Sequence, residues 1–209
     1  MHRFIPKQVS SAVLLLHGLG ANGADLMSLG EEWSGALPHT AFFSPDAPEP
    51  CDMAPFGFQW FSLRDWTTAS IENGLRRARL AADTLIDEVL KEFSLPASRL
   101  ALCGFSQGAM LSLHAGLQRK EPLAGIIGYS GALFGFGPEG DQIITKPPVL
   151  LAHGTADEVV PCQASQMAEQ ALKQAGVPVE FHAIPGLGHG IDSTGLDLGQ
   201  KFLQKILAA

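Results

Sequence analysis

The stretch CGFSQGAML, residues 103–111, decides how this chain is read. Within it, Gly104-Phe105-Ser106-Gln107-Gly108 has the form G-x-S-x-G. An apolar run, LALCGF at 100–105, leads into it, and a segment of helical spacing, 106–119, leads out. Strand, sharp turn and helix are the context in which this motif makes a nucleophile elbow. The turn is tight enough to demand small residues two positions either side of the serine. Its Oγ is then held out at the positive end of the following helix. The rival reading is a helix that happens to begin with serine as its N-cap between two glycines. The strand–turn–helix context favours the nucleophile.

Working outward, further short apolar runs alternate with helical segments. The runs are 12–17, 40–45, 123–130, 147–154 and 177–184. Apolar character on both faces of such runs suits a parallel sheet buried between helix layers. Helical spacing occupies 24–37, 70–93, 162–175 and 192–207. In the longest of these, Leu75, Leu80, Leu85, Ile86, Val89 and Leu90 are read as one apolar stripe. The alternation predicts an α/β fold with right-handed crossovers. The 209 residues are read as one domain, 1–209, without repeats or linkers. A chain of this length buries roughly 70% of its unfolded surface without needing a covalent staple. Residues 46–69, rich in proline and aromatics, and the glycine-rich 130–146 are long irregular stretches of the kind that carries function.

A serine needs a base to take its proton. Of seven histidines, His189 in PGLGHGID lies in a glycine-rich turn between the last apolar run and the last helix. That is a loop at the carboxyl edge of the sheet, suited to reaching Ser106. His153 ranks next, although it and His182 fall in or at the end of apolar runs, where packed or backbone-bonded roles are expected. His114 lies eight residues past Ser106 in the helix and faces away from the elbow. The base in turn needs an acid to hold its tautomer. Asp157 in HGTADEVVP follows the fifth apolar run. Glu158 is its rival, and Asp192 reads better as a helix N-cap. The order Ser106, Asp157, His189 is that of α/β-hydrolases.

The stretch LLLHGLGANG, 14–23, also contains Gly18-x-Gly20-x-x-Gly23, the letters of a dinucleotide loop. A dinucleotide site would want an acid about 20 residues further on. Position 38 is proline, and Asp46 lies further away. The loop is better read as half of an oxyanion hole, with N–H groups from Leu19 and, directly after the nucleophile, Gln107.

Composition narrows the partners. The formal charge is −7, from 14 basic and 21 acidic residues, and RRAR at 76–79 sits in an amphipathic helical pattern. Nucleic acid is not an expected partner. No apolar stretch reaches the roughly 18 residues a membrane span requires. The N-terminus lacks a secretory core and cleavage site, so a cytoplasmic location is expected. Three cysteines, Cys51, Cys103 and Cys162, make no disulfide framework. Cys162, at a helix start, is where a stabilised thiolate is conceivable, but a plain first-turn cysteine is the simpler reading. No metal site and no cofactor are expected.

The segments LLLHGLGANG, SPDAPE, WF, GFSQGA, HGTADEVVP and GLGHGI together resemble the small carboxylesterases of the phospholipase/carboxylesterase family, which includes acyl-protein thioesterases. The resemblance spans nearly the whole chain. It implies an α/β-hydrolase fold: a mostly parallel central sheet with helices on both faces and no large lid domain. It implies esterase or thioesterase activity without a cofactor, on a small-molecule acyl ester. It also implies Ser106, Asp157 and His189 as triad, with Leu19 and Gln107 at the oxyanion. One departure is local: Trp60-Phe61-Ser62 stands where the family often has an acid in third place. Phe58, Trp60 and Phe61 either line an acyl pocket together with Phe56 or fill a satellite core under the loop. Aromatics near 56–66 could pair two subunits. Two other classes compete: a hydrolase-fold binding protein without catalysis, and a dinucleotide oxidoreductase.

Overall fold

The computed structural model describes residues 1–137 and 140–208. Its centre is a seven-stranded sheet. The strands are β1 (His2–Phe4), β2 (Ser11–Leu16), β3 (Thr40–Ser44), β6 (Leu100–Phe105), β7 (Gly125–Tyr129), β8 (Val149–Gly154) and β9 (Val179–Ile184). Their order across the sheet is β1-β3-β2-β6-β7-β8-β9. Only β1 runs antiparallel to its neighbour. A small hairpin, β4 (Glu49–Pro50) with β5 (Phe58–Gln59), stands apart. The helices are α1 (Gly23–Ser34), α2 (Thr68–Glu92), α3 (Gln107–Leu117), α4 (Gln163–Gln174) and α5 (Ser193–Leu207).

The pleat sorts the core into two layers. In β2, Ala12, Leu14 and Leu16 face a cluster shared with α2, α3 and α4. Val13 and Leu15 face the other side, against α1 and α5. Strand side chains alternate between faces, so a strand apolar at every position serves both layers. The six apolar runs are all strands within one or two residues of their expected ends. The last is the exception in burial. Glu180 and Ala183 of β9 are exposed, because β9 is an edge strand. The stripe on α2 also needs correction. Leu80 is 63% exposed, and the buried residues are Ile71, Gly74, Leu75, Ala78, Ala82, Ile86 and Val89. At ~100° per residue, five positions beyond Leu75 place Leu80 about 140° round the helix, away from the sheet.

This topology creates one special place. The chain leaves β2 for β3 on one side, then crosses back so that β6 lies on β2's other side. Open α/β sheets bind ligands at the carboxyl ends of the strands at such a reversal. Leu16 pairs with Gly104, so the loop after β2 and the turn after β6 leave the sheet side by side.

Candidate active site

Ser106 sits between β6 and α3 with φ 54° and ψ −116°, a left-handed backbone in a non-glycine residue. Such conformations cost on the order of 1–3 kcal/mol and persist only where the surroundings enforce them. Here the surroundings do. The Ser106 N–H donates to the Tyr129 carbonyl at 2.9 Å, and α3 is buried along its whole length. The glycines of the motif have a steric cause. A Cβ at Gly104 would lie 2.1 Å from the Gly108 carbonyl oxygen, and one at Gly108 would lie 1.9 Å from the Leu16 carbonyl oxygen. No side chain fits at either position while the turn keeps this shape.

The Ser106 Oγ lies 3.0 Å from Nε2 of His189. His189 stands in the loop between β9 and α5, and its Nδ1 lies 2.7 Å from Oδ2 of Asp157. Asp157 follows β8; its side chain is fully buried. Burial opposes its ionisation, but the His189 N–H and the amides of Val160 and Val159 outweigh that and hold its carboxyl below the usual range. Both amides donate to Oδ1 at 2.9 Å. With Oδ1 committed to the backbone, Oδ2 faces the imidazole and requires the Nδ1–H tautomer, which leaves Nε2 bare toward Ser106. Glu158, the rival acid, is exposed, and Asp192 caps α5 through the Gly195 N–H at 2.8 Å. The ring of Phe105 flanks His189, with centroids 4.8 Å apart.

The loop after β2 lies against Ser106: a Cβ at Gly18 would be 3.4 Å from Cβ of Ser106. Among the described residues, the N–H groups of Leu19 and Gln107 donate to no protein acceptor. His17 pins this loop from within. Its Nδ1 donates to the Gly18 carbonyl at 2.7 Å, and its Nε2 accepts the Ala47 N–H at 3.0 Å. Burial lowers the His17 pKa, consistent with this neutral form. Gly20 donates to the Phe58 carbonyl at 2.9 Å, tying the loop to β5.

Trp60 and Phe61 lie in the core, each 2% exposed, and do not line the cavity beside His189; they border a separate small cavity of about 110 Å³ with Pro48, Glu49 and Gly74. Their role here is to brace the elbow. The Gln107 side chain accepts the Trp60 N–H at 2.9 Å and donates to the Phe61 carbonyl at 2.7 Å. The Trp60 indole donates to the His17 carbonyl at 2.9 Å. Phe58 is part-buried against the same core, while Phe56 is 72% exposed. Both rings belong to the main core cluster shared with β2, α2 and α3. Ser62 donates to Asp52 Oδ2 at 2.6 Å. A carboxylate is therefore present beside position 62, supplied from ten residues upstream.

An open cavity of about 590 Å³ adjoins His189 and Gly18. Leu26 and Leu29 of α1, Phe105, Ile191 and Leu196 supply its apolar lining, with Asp25 and Glu32 at the α1 side. Its volume is in the usual range for small-molecule sites. Sequence periodicity could have found Leu26 and Leu29 only as helix core, since a groove formed by two distant segments has no local pattern. Cys103 and Cys162 are buried, and burial raises both thiols, the reverse of a reactive thiolate. Among the described residues, no group of three or more His, Cys, Asp and Glu could hold a metal ion. No helix in the same residues is long and apolar enough to cross a membrane.

Known proteins are similar to this chain along nearly its whole length. The sequence pattern of the Phospholipase/Carboxylesterase family matches residues 6–207. An acyl-protein thioesterase 1 homolog from Dictyostelium discoideum is 31% identical over 98% of this chain and 95% of its own. Acyl-protein thioesterase 1 of Aspergillus fumigatus is 33% identical over 96% and 90%. The crystal structure of esterase PE8 superposes with a TM-score of 0.93 at 38% identity, covering 99% of this chain and 98% of that one. The chain thus belongs to the phospholipase/carboxylesterase family of α/β-hydrolases, a family of hydrolases with esterase and thioesterase members.

Proposed function

We propose that this chain is a carboxylesterase-type serine hydrolase acting on small carboxylic esters of short to medium acyl length. The observation that carries the reading is the continuous chain of contacts Ser106–His189–Asp157, at 3.0 and 2.7 Å, ending in a strained serine. Ser106 Oγ attacks the acyl carbonyl carbon as His189 Nε2 takes its proton. The carbonyl π electrons move onto oxygen, where the N–H groups of Leu19 and Gln107 stabilise the negative charge. The tetrahedral intermediate collapses, the C–O bond to the alcohol breaks, and imidazolium returns the proton to the leaving oxygen. Water then attacks the acyl-enzyme with His189 again as base, releasing the acid and restoring Ser106. Asp157 keeps its charge throughout and holds the imidazolium in place. The apolar cavity beside His189 accommodates the apolar part of the substrate. No cofactor enters any step.

Thioesters are a second substrate class, supported by relatives that are named acyl-protein thioesterases. The chemistry is the same with a thiolate leaving group.

The test is hydrolysis of p-nitrophenyl esters from acetate to palmitate, wild type beside Ser106→Ala, with thioesters of matched chain length. Turnover that vanishes in the folded variant supports the reading; an unchanged rate refutes it. Wild-type protein that neither turns over any ester nor reacts with a fluorophosphonate is a catalytically silent binding protein.

A further inference from the structure

Asp157 faces two histidines. His153, in β8, has a fully buried side chain that the proposed chemistry does not use. Its Nε2 lies 2.8 Å from the Val160 carbonyl oxygen and 3.1 Å from Oδ2 of Asp157, the same oxygen that meets His189. Its Nδ1 lies 2.7 Å from Oγ of Ser165 in α4, and that hydroxyl is 3.0 Å from the Gly131 carbonyl. Two acceptors on Nε2 leave it one choice. A bare nitrogen there would set its lone pair against a carbonyl and a carboxylate in a fully buried site, so Nε2 carries a proton. The Ser165 hydroxyl can either donate to Nδ1 or accept from it and donate to Gly131. Both states keep the Nε2–H.

We infer that His153 is a positioning residue that sets how strongly Asp157 acts on His189. It does so in two ways. Its N–H bonds the carbonyl of Val160, the residue whose own N–H holds Oδ1 of Asp157. The same positive ring edge lies against Oδ2 and draws on the charge that would otherwise go wholly to His189. Removing it leaves Oδ2 with one imidazole partner, and an undiluted carboxylate stabilises imidazolium more. The other titratable groups around the pair are Ser106 from the elbow, Cys162 ahead of α4, the exposed Glu158, and His17, Asp25 and Glu32 across the cavity from His189. None of them lies between His153 and Asp157 Oδ2, so the effect of His153 reaches His189 through that carboxylate.

This inference rests on the proposed roles of Asp157 and His189, and its test separates the two. His153→Met keeps bulk and removes the N–H; His153→Gln restores a donor near the Nε2 position. The acid limb of the kcat/KM–pH profile should move upward by about half a unit in His153→Met, because a nearby charge on the acid shifts the base it serves. KM should stay within about twofold, because no substrate contact is lost, and His153→Gln should return the limb toward its wild-type position. A role in packing alone would lower stability in both variants and leave the limb where it was. An unmoved or downward-shifted limb in folded His153→Met overturns the inference, while loss of all activity in Ser106→Ala leaves the underlying reading standing. Should His153→Met fail to fold, imidazole nitrogen spectra of the wild type decide the matter. His153 Nε2 must carry a proton at neutral pH, and a bare Nε2 there refutes the arrangement.

Discussion

Gln107 offers the sharpest test of how the elbow is braced. Its side chain is fully buried and bridges two backbone groups of a distant loop, the Trp60 N–H at 2.9 Å and the Phe61 carbonyl at 2.7 Å. Gln107→Ala removes both partners and leaves its own backbone N–H in place. Orphaning a buried donor or acceptor costs about 1–3 kcal/mol each, so the loss should be roughly 2–6 kcal/mol. For a chain of this size, ~2–4 °C per kcal/mol places the fall in Tm at roughly 4–24 °C. Water entering the vacated space would bring the result toward the low end. Gln107→Glu should fall between when its buried carboxyl is neutral, because one oxygen still accepts from Trp60 and the O–H donates to the Phe61 carbonyl, at the cost of keeping the acid protonated. Calorimetry should be paired with ester kinetics well below the variant's Tm. Activity should drop further than the unfolded fraction explains, since the loop that holds His17 through the Trp60 indole loses its anchor. A melting point within about 2 °C of wild type would refute the bracing argument, because two orphaned buried groups cannot be that cheap.

Other outcomes follow from the same contacts. Asp157→Asn should cut kcat by about 10³–10⁴, because an amide at Oδ2 favours the wrong imidazole tautomer; near-normal turnover would transfer the acid role to Glu158. Leu29→Trp should fill the cavity beside His189 and shift the ester chain-length optimum downward by several carbons, with an unchanged profile refuting the cavity as a substrate site. Burial lowers the pKa of both His17 and His114. Below about 6.5 the unfolded chain therefore binds protons that the folded one refuses, so stability is complete above that pH and falls as pH drops toward the folded values. Melting curves between pH 7.5 and 5.5 should show the decline, and His114→Gln should flatten it.

What could be read from the letters and what could not divides along one physical line. The sharp turn at Ser106 and the six apolar strands rest on local rules: glycine where a Cβ collides, and apolar runs where a strand is buried between helix layers. Those rules act within a few residues and leave a trace in the string. The strands missed, β1, β4 and β5, have two or three residues each and no room for a period to develop. Trp60 and Phe61 are aromatic letters in a long loop, equally suited to a wall or a core. Only the Gln107 side chain, some 47 positions away, makes them the brace of the elbow. His153 shows the limit most clearly. Along a strand rising ~3.3 Å per residue, a residue four positions on lies about 13 Å away, so His153 and Asp157 have no reason to meet. They meet because the strand ends at Gly154 and the chain folds back at once, with the Asp157 N–H reaching the Gly154 carbonyl. A Cβ at Gly154 would lie 2.2 Å from the Leu187 carbonyl oxygen, so a side chain there would push away the loop that carries His189. One glycine thus lets the loop that carries His189 close over the same turn that brings Asp157 back to His153. A consequence is that Gly154→Ala should damage activity well beyond its cost in stability, with the loss appearing in kcat and not in KM.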